Sequence, residues 1–384
     1  MLSNLFGKIY ALFSKGVLPS NSNRLKTDSS KKHKDKLNQQ NSYLQEFNIS
    51  YSEGLSIISL GKESNRIFLD VALQIDDKTL TVGLCDIEDE RIVSDDSYPD
   101  AVPDLQDFVE ALSNDLPPID RAEFRLRVNP FGQWGMWIDA ANLDIRTLLN
   151  EQRWLTRWMD LAHIELGPNR KYLKKINSRL SLEPPFPRQW FKTFLPAHNR
   201  AFMLWSLVGV DSQLSDNGVK HLVQLMTKLL TQCDDGNRWV AFGSGSGTFT
   251  LPLAQLVEHV TATNTSALTR QSLQRALKHN SIDNVTVSPI NIERQTEQSV
   301  GLLEQADGLF VDPPKSGLGD TIQTLEKAEQ KPRYIIYLSC HGRTLCMDGQ
   351  AFNAMGYTLQ YMEGVDQFSH TPHCEWISLW KRTT

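Results

Sequence analysis

The chain is 384 residues long, with 40 Lys+Arg against 45 Asp+Glu, a formal net charge of -5, and 40% hydrophobic and 22% charged residues. That is the make-up of a globular chain with room for about two domains, and no apolar run reaches the roughly 18 residues that a membrane-spanning helix needs. The 5 cysteines (Cys85, Cys233, Cys340, Cys346, Cys374) are scattered and form no C-x-x-C pair; they support neither a disulfide framework nor a tetrahedral zinc site, so a reducing cytoplasm is the expected setting.

Along the chain the charge is uneven. Residues 1–42 carry eight Lys/Arg against Asp28 and Asp35. Their opening, MLSNLFGKIYALFSKG, reads as an amphipathic helix without the features of a secretory signal. The polar, basic run after it is expected to be a disordered tether, because it has too little apolar surface to offset chain entropy. Residues 43–120 hold 18 acidic residues against four basic ones. Their short β-branched runs (GLSIISLG, RIFLDVALQI, KTLTVGLC) suggest an acidic β-rich unit, with a helix over PDLQDFVEALSNDLPP.

Residues 121–192 are expected to form a basic α+β subdomain. EFRLRV and WGMWID are two strands around the turn NPFGQ, and NEQRWLTRWMDLAHIEL is a helix whose tryptophans read as core packing rather than base-stacking platforms. Within it, 153–192 has nine basic residues against Asp160, Glu165 and Glu183. The near-neutral total is therefore no argument against a polyanionic partner.

From Arg238 short strands alternate with helices: RWVAF, HVTAT, NVTVS, GLFVD and RYIIYL. Alternation of this kind predicts right-handed crossovers and an α/β doubly wound parallel sheet. The last two strands, GYTLQY and CEWISLW, are separated only by a loop and should pair antiparallel. The outline is that of the common methyl-donor-binding fold, a Rossmann-like class I methyltransferase sheet beside a smaller α+β amino-terminal region.

Four motifs sit at expected strand ends. Gly243-Ser-Gly245-Ser-Gly247 follows a strand, where glycines let the backbone turn and approach a cofactor. FVDPPKSGLG puts Asp312 and two prolines at the carboxyl end of another strand. YLSCHGRTLCMDG puts Cys340 at the exit of the next, a candidate nucleophile whose thiolate would be favoured by helix dipoles or nearby cations. DQFSHTPHCEWISLW gathers His370, Thr371, His373 and Glu375. With one H-x-E triple and no third ligand, it fits a loop presenting Glu375 as a base better than a metal site.

In this order and spacing, DPPKSGLG, YLSC and DQFSHTPHCE resemble the RNA uracil-5-methyltransferases, over roughly residues 190–384. The resemblance implies S-adenosylmethionine as cofactor and tRNA or rRNA as partner, with catalysis by Cys340, adding to uracil C6, and by Glu375, removing the C5 proton. It implies cofactor contacts from Gly245, Gly247, Asn264, Asn291 and Asp312, and substrate contacts from Asn199, Lys315 and His370.

The chain departs from the family pattern at several points. Ala241 and Asn264 stand at positions usually Asp and Glu, and Asn291 stands where an Asp is expected. Ala197 replaces the Gln of F-x-Q-x-N, His341 the Asn after the cysteine, and Lys315 the Arg after D-P-P. Each carboxylate-to-amide change loses a charge-assisted bond, a cost of about 1–2 kcal/mol. A paralogue that keeps an RNA-binding or protein-interaction role with weakened methyl transfer is the alternative, and the acidic 43–120 segment is expected to dock a protein partner or to be autoinhibitory.

Overall fold

The computed structural model describes residues 22–60, 65–76, 79–85, 92–93, 101–117, 119, 121–139, 145–150, 152–177, 179–213, 215–234, 236–367 and 374–383. They divide into two compact units, one holding 22–28, 65–186 and 207–211, the other 29–64, 187–206 and 212–384.

In the first unit an eight-stranded sheet runs in the order Ile92–Val93, Thr79–Cys85, Phe68–Asp76, Arg121–Val128, Trp134–Asp139, Ala162–Leu166, Lys171–Ile176, Arg179–Glu183. Phe68–Asp76 pairs antiparallel with Arg121–Val128 from Phe68↔Arg127 to Gln74↔Arg121. The expected boundary at residue 120 therefore falls inside one sheet, because the strand before it is satisfied by the strand after it. Helix Pro103–Asn114 buries Leu105, Phe108 and Leu112, the helical spacing of one apolar face.

Trp154 and Trp158 are buried in the same core, with Phe108 stacked on Trp134 at 4.6 Å, so these tryptophans are packing residues. Both indole N–H groups donate to Asp115. The helix expected to continue through AHIEL stops at Leu161, and Ala162–Leu166 is a strand parallel to Trp134–Asp139. Tertiary pairing overrides local pattern here: Ala162, Ile164 and Leu166 face the core, and the buried Glu165 carboxylate accepts the N–H groups of Val208 and Gly209 at 2.9 and 3.1 Å.

The second unit holds the expected doubly wound sheet. Its order is Ser56–Ser59, Tyr357–Asp366, Glu375–Arg382, Tyr334–Ser339, Gly308–Val311, Arg238–Phe242, His259–Thr263, Val285–Ser288. Only Glu375–Arg382 runs antiparallel to its neighbours, which is the anticipated last pair.

The outermost strand is unexpected. GLSIISLG supplies Ser56–Ser59 to this sheet, parallel to Tyr357–Asp366, rather than to an acidic β unit. Likewise the run expected as a disordered tether is helical over Ser22–Glu46. Its physical anchors are few but buried: Lys36 Nζ lies 2.8 Å from Asp366 Oδ1, both side chains 4% exposed. Gln40 donates to Gly342 O, and Leu44 and Ile49 join the core of the sheet. The amphipathic opening lies outside the described residues.

Candidate active site

In a parallel sheet with one reversed strand, the reversed strand begins at the edge where its neighbours end. Ser339 is opposite Trp376 in that pairing, so Cys340, one residue past its strand, comes level with Glu375, the first residue of the reversed strand. Asp312 follows Val311 on the adjacent strand at the same edge. Three sequence motifs that lie far apart in the chain thus meet by topology, at the strand ends where open α/β sheets hold their ligands.

The electrostatics confirm the proximity. Glu375 is buried, and burial, then the charge of Asp312, push its carboxyl up to about 8, against an opposing hydrogen bond from Gln367. Asp312 is pushed up to about 7 by burial, against a hydrogen bond from Gln213. The two carboxyls titrate as a coupled pair. Glu375 Oε2 is buried and has no hydrogen-bond partner among the described residues.

The half-buried Cys340 thiol is pushed up to about 12, first by desolvation, then by Glu375 and Asp312, with Lys315 pulling it down. Against the expectation that helix dipoles or nearby cations favour the thiolate, burial first and the two carboxyls second outweigh the exposed lysine and favour the thiol.

A second layer holds the DPPKSGLG loop against the helix that follows Cys340. Asp348 accepts from Tyr337 Oη at 2.7 Å and from Leu318 N at 2.9 Å, and Thr344 Oγ1 donates to Lys315 O at 3.0 Å. Gly317, at φ 84°, permits the approach, since a Cβ there would lie 2.4 Å from Thr344 and 2.7 Å from Asp348 Oδ2. His341 caps that helix, Gly342–Ala354, by accepting from Thr344 N.

The glycine loop turns as expected, with Gly243, Gly245 and Gly247 all at positive φ. A Cβ on Gly243 would sit 3.3 Å from Asp312 O, so the loop lies close against the D-P-P strand end. Asn264 and Asn291 follow the next two strands. Each spends its Oδ1 on a local turn: Asn264 accepts from Ser266 N at 2.9 Å and Asn291 from Glu293 N at 3.0 Å. What remains of each side chain is an amide donor. Beside them a cavity of about 490 Å³ is lined by Thr265, Pro289, Ile290, Asn291, Arg294, Thr296 and Gln298, a size typical of small-molecule sites, roughly 300–1,000 Å³.

The structure therefore brings Cys340, Glu375, Asp312 and Lys315 together, with Asn264 and Asn291 at neighbouring strand ends. Asn199 is exposed on a hairpin turn in left-handed geometry, φ 47° and ψ 40°, which Asn tolerates well. His370 lies outside the described residues. Gln213 and Gln367, which reach the two carboxylates, were not anticipated. Gln367 lies within the motif DQFSHTPHCE, where it was given no role, and a further trace is Gly218, a glycine in the first turn of a helix, where a Cβ would lie 2.1 Å from Gln367 Oε1.

Residues 219–383 match the family described as tRNA (Uracil-5-)-methyltransferase. The chain is 30% identical to an uncharacterized RNA methyltransferase of Bdellovibrio bacteriovorus over 87% of its own length and 86% of that protein's. It is 34% identical to the 23S rRNA (uracil(1939)-C(5))-methyltransferase of Aliivibrio salmonicida over 36% of this chain, and spans only 31% of that relative. Among solved structures, the tRNA (uracil-54, C5)-methyltransferase of Pyrococcus abyssi in complex with S-adenosyl-L-homocysteine aligns over 91% of this chain and 83% of that one, with TM-score 0.59 and 18% identity, a likeness of fold.

Proposed function

The chain belongs to the RNA uracil-5-methyltransferase family, and on that premise we propose that it transfers a methyl group from S-adenosylmethionine to C5 of a uridine in tRNA or rRNA, with Cys340 as nucleophile and Glu375 as base. The observation that carries this reading is the meeting of Cys340 with Glu375, whose Oε2 is buried and has no partner among the described residues. A buried carboxylate oxygen with no hydrogen bond is costly unless it serves a reacting proton.

The residues present fit the cofactor. The three glycines open the first turn, the cavity at Asn291 accepts a nucleoside, and the free amides of Asn264 and Asn291 can donate to its oxygens and ring nitrogens. When bound, the cofactor supplies an electrophilic methyl group on a sulfonium and departs as the neutral thioether.

Uracil C5 is a weak nucleophile until a thiolate adds at C6. Since the Cys340 thiol is held protonated, its proton passes to the ionised Asp312 as sulfur bonds C6 and the C5=C6 π electrons move toward O4. After methylation at C5, Glu375 Oε2 takes the C5 proton. The released pair re-forms C5=C6, expels the Cys340 sulfur, and the thiol regains its proton from Asp312. The target base must leave any stack to reach the strand-end site.

RNA attraction is supported by the first unit. Hairpin Lys171–Ile176/Arg179–Glu183 at its sheet edge exposes Lys171, Lys174, Lys175 and Arg179, a set of cations suited to phosphates.

The test is tritium release from RNA carrying 5-tritiated uridine, with S-adenosylmethionine added. Release matched one for one by methyl incorporation, and lost in Cys340→Ala, is the expected result; retained release in that variant sinks the nucleophile assignment. Absence of binding heat at millimolar cofactor would favour the binding-module alternative, to which the amides at 264 and 291 point.

A further inference from the structure

We propose that Gln367 and Gln213 form a one-way amide relay that positions both site carboxylates, and that Gly218 is the residue that makes room for it. The proposal deepens the reading of Glu375 as the base and rests on it for its kinetic consequence.

Gln367 is buried, immediately after the strand that ends at Asp366. Its Oε1 accepts from Ser215 Oγ at 3.2 Å, and its Nε2 donates to Gln213 Oε1 at 2.9 Å. The same Gln367 side chain bonds Glu375, and Gln213 bonds Asp312. Both amide oxygens are thereby used as acceptors, so only N–H groups remain for the carboxylates. The direction is fixed along the whole path: hydroxyl to amide oxygen, amide N–H to the next amide oxygen, amide N–H to carboxylate.

The origin of the relay is equally constrained. Ser215 Oγ accepts from Gly218 N at 2.8 Å as the cap of helix Asp216–Leu230, so its one proton is directed to Gln367. A Cβ on Gly218 would come 2.1 Å from Gln367 Oε1 and 2.7 Å from Ser215 Oγ, a distance no packed side chain adopts.

Among the described residues, the charged and titratable groups around the pair are Asp312, Glu375, Cys340, Cys374, Lys315, Tyr337 and Asp348. Among these, Lys315 is the cation acting on Cys340, and it is exposed. The inward-pointing amide N–H groups thus offset part of the cost of ionising a buried carboxyl, Glu375, beside a partly buried one, Asp312. They also hold one face of Glu375, which leaves Oε2 free for a proton.

Gln367→Met keeps the volume and removes the donors; Gln213→Met removes the second link; Gly218→Ala pushes the Gln367 amide out of place while leaving every carboxyl and amide group chemically intact. In methyl transfer, the acid limb of the kcat/KM profile is expected to move up by about one pH unit in Gln367→Met, in line with loss of a charge-assisted hydrogen bond. The rate should recover to within about threefold of wild type above the shifted limb, with KM for RNA unchanged, and Gly218→Ala should shift the same way.

A second readout needs neither RNA nor cofactor. Alkylation of Cys340 by iodoacetamide, followed on its own peptide by mass, gives a log rate that bends with pH where the carboxyls ionise, because ionised neighbours disfavour the thiolate. That bend should rise by about one unit in Gln367→Met. If wild type transfers no methyl group but the bend is present and moves, the relay stands and the enzymatic reading falls. If Gln367→Met folds and moves neither the limb nor the bend, or loses rate equally at every pH, the relay is overturned. Should Gln367→Met fail to fold, Gly218→Ala and Gln213→Met are read by the same criteria.

Discussion

Replacing the base should stabilise the protein, and only at high pH. The Glu375 carboxyl is raised from 4.5 to about 8, a folded-state value above the unfolded one. A carboxyl raised on folding contributes fully below its unfolded pKa, and that contribution is lost as pH rises through the folded pKa. Taken alone, the shift is worth a ceiling of roughly 5 kcal/mol. Part of it is the charge of Asp312, which titrates over the same range, so Glu375→Gln should recover about 2 kcal/mol at pH 9. For a chain of this size that corresponds to about 4 °C in Tm. At pH 4 the gain should vanish, since a protonated carboxyl and an amide of the same shape both accept the Gln367 N–H. Differential scanning calorimetry across pH 4–9 measures the difference, alongside the methyl-transfer assay, where the variant should be inactive. A Tm gain that is constant with pH, or a loss at pH 9, would refute the premise that Glu375 is buried at a cost for its chemistry.

Three further outcomes are expected. Lys36→Met leaves Asp366 buried beside His33 without its 2.8 Å partner, and should cost about 3–5 kcal/mol in urea unfolding; a loss under about 1 kcal/mol would mean that the pair is solvated. Asn291→Asp keeps the bond to Glu293 N, since either side chain offers an oxygen, and adds an acceptor for the cofactor, so calorimetric affinity for S-adenosylmethionine should rise about tenfold; unchanged affinity would remove Asn291 from the cofactor site. Lys174→Ala with Lys175→Ala, both exposed on the basic hairpin, should lower the slope of log affinity against log salt for single-stranded RNA by about 1.4, and an unaltered slope would move the phosphate contacts elsewhere.

The strands of the catalytic sheet were legible because each is a short apolar run closed by a turn residue, and the reversed last strand because no helix separates it from its predecessor. From these followed the meeting of Asp312, Cys340 and Glu375 at one edge. The state of the nucleophile was not legible: Cys340 sits at the start of a helix with Lys315 near, which suggests a thiolate, yet burial of the thiol, together with two carboxyls 28 and 35 residues away in sequence, outweighs both. The amino-terminal helix was misread for a related reason. Its sequence is polar enough for disorder, and what orders it is Lys36 meeting Asp366, 330 residues later. The break after Leu161 was hidden because AHIEL continues an apolar helical pattern and becomes a strand only through pairing with Trp134–Asp139.

These burials explain why the site can be built from groups that each look unfavourable alone. A thiol held high will not react indiscriminately, and its proton passes to a carboxylate near neutrality only as sulfur bonds C6, because free transfer across a gap of about 5 pH units would cost roughly 7 kcal/mol. Nucleophile activation then requires no permanent thiolate, only that one carboxylate be ionised when the base arrives. Displacement of water by a bound base would raise the thiol further, so the proton must be taken by a group already in place, and Asp312 meets that condition on the strand next to Cys340. The division of labour follows from position: Gln213 ties Asp312 into the amide path, while Glu375 keeps an oxygen with no partner among the described residues and is the one equipped to accept a proton from carbon.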